Sequence, residues 1–132
     1  MAEAGLSFRI EPADVDETID GDLDAGAAAE DLALRKARAV AGRTAQGAAL
    51  ILGSDTLVVL GEDGASDRRY LEKAMDASEA RAMLRALSGT RHRVITGIAV
   101  VDRASGASRS AHETTWVTMR EIRDEEVDAY VA

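Results

Sequence analysis

Asp55 is the residue of this chain that first invites chemistry. It stands beside Thr56 in AALILGSDTLVVL (residues 48–60), between two apolar, β-forming runs at 49–52 and 57–60. A continuous apolar run bounded by glycine reads as a strand buried on both faces. A carboxylate in such a strand is costly unless it is paired or coordinates something. Two readings are open at this point. One is a metal-binding or proton-transfer acid at a sheet end. The other is an acid in a tight bend or bulge that bonds its own backbone.

The cations narrow the chemistry. Of 16 basic residues only two, Lys36 and Lys73, are lysines. A compact ammonium on a flexible stem suits phosphate as a point charge; the alternative is two surface residues left over from an arginine-rich composition. His92, in SGTRHRV between a helix stop and a strand, fits either a phosphate or metal contact or a local hydrogen bond. His112 has no partner pattern and reads as a surface residue, and Trp116 as a packing residue. Asp20, Asp22 and Asp24 have the first spacings of a calcium loop, but the sixth position is Ala25 and the twelfth Asp31, so that motif fails. The acids at 14–24 read instead as a solvated lead-in to a helix N-terminus, with Asp16 and Glu17 able to turn inward beside Val15. No Walker loop, GxGxxG or Ser-His-Asp order is present.

The elements that must position these groups follow from periodicity. Residues 6–12 alternate Leu6, Phe8 and Ile10 with polar residues, which predicts a half-buried strand ended by Pro12. A helix is predicted over 27–41, a loop over 42–47, the central strand next, a turn at 61–66 and a short return strand at 68–73. Asp76 with Glu79 forms a capping-box start for a helix over 77–87, stopped by Gly89. An apolar strand over 94–101, interrupted by Thr96 and Gly97, turns at 102–106 and pairs back over 111–122. A short helix begins near Asp124. Alternating strands and helices predict an α/β fold with a mixed, twisted sheet flanked by helices.

Composition bounds the rest. A length of 132 residues fits one domain, and 46% apolar with only 3% aromatic residues implies a core of Ala, Val, Leu and Ile. Cysteine is absent, which excludes disulfides and thiolate metal sites. A net charge of −8 disfavours sequence-independent binding of nucleic acid, though not of a small anion held by local cations. No stretch approaches the roughly 18 apolar residues of a membrane span, and the first residues lack the pattern of a signal peptide. A soluble cytoplasmic protein is the expectation.

Taken in order, the pieces resemble the Maf family of nucleoside triphosphate pyrophosphatases, once called septum-formation proteins. AGLSFRIEPADVDET (4–18) resembles the family's first strand and Asp-Glu step, and LRKARAV (34–40) its Lys-Ala helix. GSDTLVV (53–59) resembles its strand-borne Asp-Thr. LEKAMDASEARAMLRALSGTRHRVITGIAVVD (71–102) resembles its Gly-Lys-Pro step, capped helix, Ser-Gly-x-x-His turn and Val-x-Thr-Gly strand. The resemblance implies a Maf- and ITPase-like α/β fold. It also implies hydrolysis of a nucleoside triphosphate, non-canonical or dTTP/UTP-like, to monophosphate and pyrophosphate with Mg²⁺ or Mn²⁺. Asp55 would activate water or bind the metal and Glu17 would help hold it. Lys36 and Lys73 would neutralise phosphates, Thr56 would sit near the base or sugar, and His92 would contact the substrate. A homodimer is a further implication.

The resemblance covers nearly the whole chain and has gaps. Family members open with a Ser-x-Ser-Pro-Arg-Arg phosphate loop and continue past Tyr130-Val131 into an Asp-Lys-Ala-Gly segment. The expectation is therefore a single domain over 1–132 lacking both pieces. Ala74 replaces the usual proline after Lys73, which removes a rigid turn but keeps the ammonium. The alternative expectation is a catalytically impaired remnant that binds nucleotide or a cell-division partner.

Overall fold

A computed structural model describes residues 5–43, 49–71 and 73–132. In chain order these form α1 (Ala25–Arg43), β1 (Leu50–Leu60), β2 (Arg69–Leu71), α2 (Ala77–Leu87), β3 (Arg91–Asp102), β4 (Ser108–Thr118) and α3 (Asp124–Val131). Part of the expected loop at 42–47 lies outside the described residues. The strands make one sheet in the order β2-β1-β3-β4.

The fold is α/β as expected, but all three pairings are antiparallel rather than mixed. The reason lies in β2. It reverses direction after β1, so the crossover through α2 joins the parallel pair β2 and β3, and β1 lies between them. Alternation of helix and strand thus yields parallel strands that are not neighbours.

β1 pairs with β3 in unbroken register from Leu50↔Asp102 to Val59↔Arg93. Asp55, opposite Gly97, is therefore in regular strand, and the bend or bulge reading is set aside. The expected burial on both faces is corrected too. Gly53, Leu57 and Val59 are buried, while Leu50 and Leu52 on the other face are exposed. The buried face packs on α1, where Leu32 and a row of alanines meet Leu57, Val59 and Ile95. Small residues make the approach close: a Cβ at Gly53 would collide with the backbone of Ala33, and one at Gly97 with that of Ala29.

Residues 6–12 are not the expected strand. They form no ladder, and Leu6, Phe8 and Ile10 are exposed, because among the described residues no strand lies alongside to pair with them. The segment is instead an extended strap held to α1 by arginines, with Arg43 donating to the Pro12 carbonyl. Asp24 caps α1 through the Ala27 amide at 2.7 Å. The Asp76 carboxylate caps α2 through the Glu79 amide at 2.8 Å. β4 begins at Ser108 and ends at Thr118, short of the predicted 122, because residues 119–123 turn into α3. Gly89 there bonds the Arg120 carbonyl, and Ser88 the Ile122 amide.

Candidate active site

Three of the six site residues expected from sequence meet on the helix face of β1. The Lys36 ammonium, on α1, donates to Asp55 Oδ1 at 2.6 Å and lies 3.2 Å from Glu17 Oε1. The glycines at 53 and 97 explain the short reach. They let α1 settle onto β1 and β3 beside Asp55, so a lysine one turn along the helix reaches the strand. Side-chain exposure is 15% for Asp55, 23% for Lys36 and 65% for Glu17, so the pair is sheltered and its third member opens to solvent. Burial depresses the Lys36 pKa, but the hydrogen bonds and charges of Asp55 and Glu17 outweigh it. The ammonium is held above the ordinary lysine value.

Glu17 is held in place by a residue that sequence reasoning missed. Arg35 donates to the carbonyls of Asp16 at 2.5 Å and Thr18 at 2.8 Å, gripping the chain on both sides of Glu17. Its own guanidinium is fixed by Asp31, one turn back on α1, at 2.6 and 2.9 Å. The only sequence signal is the Asp31/Arg35 spacing of four, which marks a helical ion pair but not its second task.

Lys36 and Glu17 also line a cavity of about 750 Å³. Its walls are residues 7–13 of the strap, residues 49–54 leading along β1, and Val40 and Arg103. That volume is in the range of small-molecule sites. Consecutive residues line it from both the strap and β1, so backbone edges as well as side chains face the space. Beyond its short pairing with β2 at 58–60, β1 has no second neighbour among the described residues.

The other expected residues are placed elsewhere. Thr56 points to the opposite face of the sheet, where its hydroxyl lies 3.0 Å from that of Thr96 on β3. Lys73 is exposed, two residues past the end of β2. Because β2 runs antiparallel to β1 from Leu60 towards Val58, the chain leaves the sheet heading towards Thr56. Lys73 has no ion-pair partner among the described residues. His92 is 4% exposed at the start of β3, with Nδ1 3.2 Å from the Thr90 hydroxyl. Asp55 pairs with Gly97, five residues along β3, so about 17 Å separates the two at strand spacing. The structure thus supports the local hydrogen-bonding role for His92 and does not bring it to the cluster.

His112 is a surface residue as expected, and it has a partner that no sequence pattern marked. Its Nδ1 pairs with Glu30 at 2.5 Å and its ring packs against Gly26, tying β4 to α1. The Ser110 hydroxyl donates to the other Glu30 oxygen at 2.5 Å. Trp116 is half-exposed, with the Arg91 guanidinium 4.2 Å from its ring centroid.

At the far end of the sheet Asp63 is a hub. It accepts from Arg93 at 2.9 Å, Arg68 at 3.0 Å and the Ala25 amide at 3.0 Å. The Arg93 hydrogen bond, against the opposing effect of burial, holds its pKa down at about 2. This network secures the start of α1 and is structural.

The comparisons agree with the order of these pieces. A family model described as "Maf-like protein" matches residues 1–132. A "dTTP/UTP pyrophosphatase" of Pelotomaculum thermopropionicum is 46% identical over 132 residues, which is 100% of this chain and 65% of that relative. One of Moorella thermoacetica is 42% identical over 132 residues, 100% of this chain and 64% of the relative. One of Anaeromyxobacter dehalogenans is 42% identical over 137 residues, 99% and 62%. The chain therefore spans somewhat under two thirds of the length of these curated relatives.

Proposed function

The chain belongs to the Maf-like protein family, and on that premise we propose that it takes part in hydrolysis of pyrimidine nucleoside triphosphates of the dTTP/UTP kind. Water attacks the α-phosphorus, the α–β anhydride bond breaks, and nucleoside monophosphate and pyrophosphate leave. The observation that carries this reading is the Glu17–Lys36–Asp55 cluster, two of whose members, Glu17 and Lys36, line a nucleotide-sized cavity. The relatives' names supply the substrate class.

The donor set suits Mg²⁺ or Mn²⁺. A cationic group, the Lys36 ammonium, already stands against both carboxylates, so the space accepts positive charge. Among the described residues no three His, Cys, Asp or Glu side chains gather as a metal cage. Two carboxylates with the remaining positions left to phosphate oxygens and water are the usual way Mg²⁺ is held. When bound, such an ion makes the attacking water more acidic and offsets phosphate charge. Asp55 and Glu17 would hold it.

The chain's own residues then divide the work. Asp55 accepts the proton of the attacking water at its carboxylate, and Lys36 neutralises phosphate oxygens in the cavity. Successive residues of a strand face opposite ways, so a nucleotide lying across the open edge of β1 meets Asp55 on one side and Thr56 on the other. Thr56, braced by Thr96, contacts the base or sugar. Lys73 approaches the phosphates from the end of β2. The test is pyrophosphate release with Mg²⁺ or Mn²⁺ across dTTP, UTP, CTP and methylated GTP. Release that favours dTTP and UTP supports the reading, and equal release from methylated GTP would remove the pyrimidine assignment.

A second reading is nucleotide binding without turnover. It draws on the placement of His92 away from the cluster. Thermal stabilisation by nucleotide, with no pyrophosphate released, would favour it.

A further inference from the structure

Lys36 stands where a bridging cation would have to go. Its Nζ contacts Asp55 at 2.6 Å and Glu17 at 3.2 Å, so the two carboxylate oxygens are no farther apart than those contacts laid end to end. A divalent ion shared by both would sit about 2.1 Å from each, within the volume the ammonium fills. Two cations cannot share that space, since like charges a few ångströms apart in a sheltered site repel strongly. The backbones that carry the two carboxylates are held independently of the lysine, Asp55 by the strand register and Glu17 by the grip of Arg35 on its neighbours, and side-chain rotation lets the carboxylates close on a smaller ion. The lysine stem is flexible, and Lys36 already lines the cavity beside it.

From this geometry we infer that Lys36 is an exchangeable counter-ion. It neutralises Glu17 and Asp55 in the metal-free protein. On loading it leaves them for the anionic phosphate chain in the cavity. This rests on the metal-dependent reading above and adds an order to it. Metal alone must evict the ammonium and binds weakly. Metal together with a polyphosphate gives the ammonium a new partner, so each strengthens the binding of the other, and by the same factor. The ion pair thereby keeps the site from filling with metal when no substrate is present.

The chain has only two lysines, which makes the exchange observable. Selective ¹³Cε-lysine labelling gives two NMR signals; Lys36→Met assigns them, and Lys73 serves as the internal reference. Mg²⁺ alone should move the Lys36 signal only at high concentration. With pyrophosphate present the same movement should need about tenfold less Mg²⁺, a coupling of ordinary size. By electron paramagnetic resonance, Mn²⁺ alone should bind Lys36→Met about tenfold more tightly than wild type, a difference of about 1.4 kcal/mol. Lys36→Arg, which keeps the charge, should not show that gain. A Lys36 signal that stays put at saturating Mg²⁺ and pyrophosphate overturns the inference. So does Mn²⁺ binding that is unchanged or weaker in a Lys36→Met chain whose circular dichroism matches wild type. If that variant does not fold, the wild-type titration decides. These readouts are equilibria without turnover, so absence of pyrophosphate release from dTTP would count against the enzymatic reading and leave the exchange standing.

Discussion

Lys36 is charged against the pull of its own burial, and that has a consequence at alkaline pH. Its folded pKa lies above the unfolded value of about 10.4. The stabilisation is thus complete below that value and is lost as pH rises through the folded pKa. Urea unfolding at pH 9 and pH 11 should show a larger loss for wild type than for Lys36→Met; equal losses would mean the ion pair does not stabilise the fold. Arg35 carries a second prediction. Removing it frees the chain on both sides of Glu17, and residues that support a metal ligand, the role proposed for Glu17, are usually worth 10–100-fold in affinity. Arg35→Ala should therefore weaken apparent Mn²⁺ affinity in the presence of nucleotide by about tenfold, read from the metal dependence of turnover, with kcat at saturating metal changed less. At this scale Asp55, Lys36 and Glu17 were legible from residue type, order and resemblance. Arg35 was not, because its hydrogen bonds go to backbone carbonyls, which leave no trace in side-chain pattern. The partner of His112, Glu30, is 82 residues away, beyond the reach of local reading.

The elements hold the cluster through close approach. Adding a methyl at Gly97 would drive a Cβ into the backbone of Ala29, where no side chain can yield. Gly97→Ala should cost about 1–3 kcal/mol of stability, as overpacking usually does, and should lengthen the Lys36–Asp55 contact by lifting α1. A Tm equal to wild type would show that α1 does not sit as described. The anchor at the other end of α1 is acid-sensitive. Asp63 has a folded pKa of about 2, below its unfolded value, so it stabilises above about pH 4 and the contribution fades as pH falls towards 2. It is more than a third exposed, so after allowance for solvent screening the effect is on the order of 1 kcal/mol. Asp63→Asn should lose that part of the acid dependence in guanidinium titrations at pH 6 and pH 3. The elements themselves were well read where local chemistry sets them. Asp76 and Glu79 marked α2, whereas the close approach of α1 at Gly53 and Gly97 was not read from the sequence, because it depends on which helix covers the strands. The strand predicted at 6–12 failed because alternation describes what a segment can pair with, and pairing needs a neighbour with a free edge.

As a whole the described residues form one sheet with α1 on one face, and apolar side chains such as Leu52 and Ile98 are exposed on the other. The α/β class was legible from alternation, while the antiparallel order was not, since it depends on a three-residue β2 that reverses the chain before the helix crosses over. The site lies where α1, β1 and the strap converge, and each contributes one member of the cluster. Whether that convergence makes a working site is decided by pyrophosphate release from dTTP by the 132-residue chain with Mg²⁺ or Mn²⁺, beside Asp55→Asn. Release by wild type is expected, with a fall on the order of 10³-fold in the variant, the usual scale for losing a residue with the base and metal-binding roles proposed for Asp55. Release by Asp55→Asn at the wild-type rate would contradict those roles.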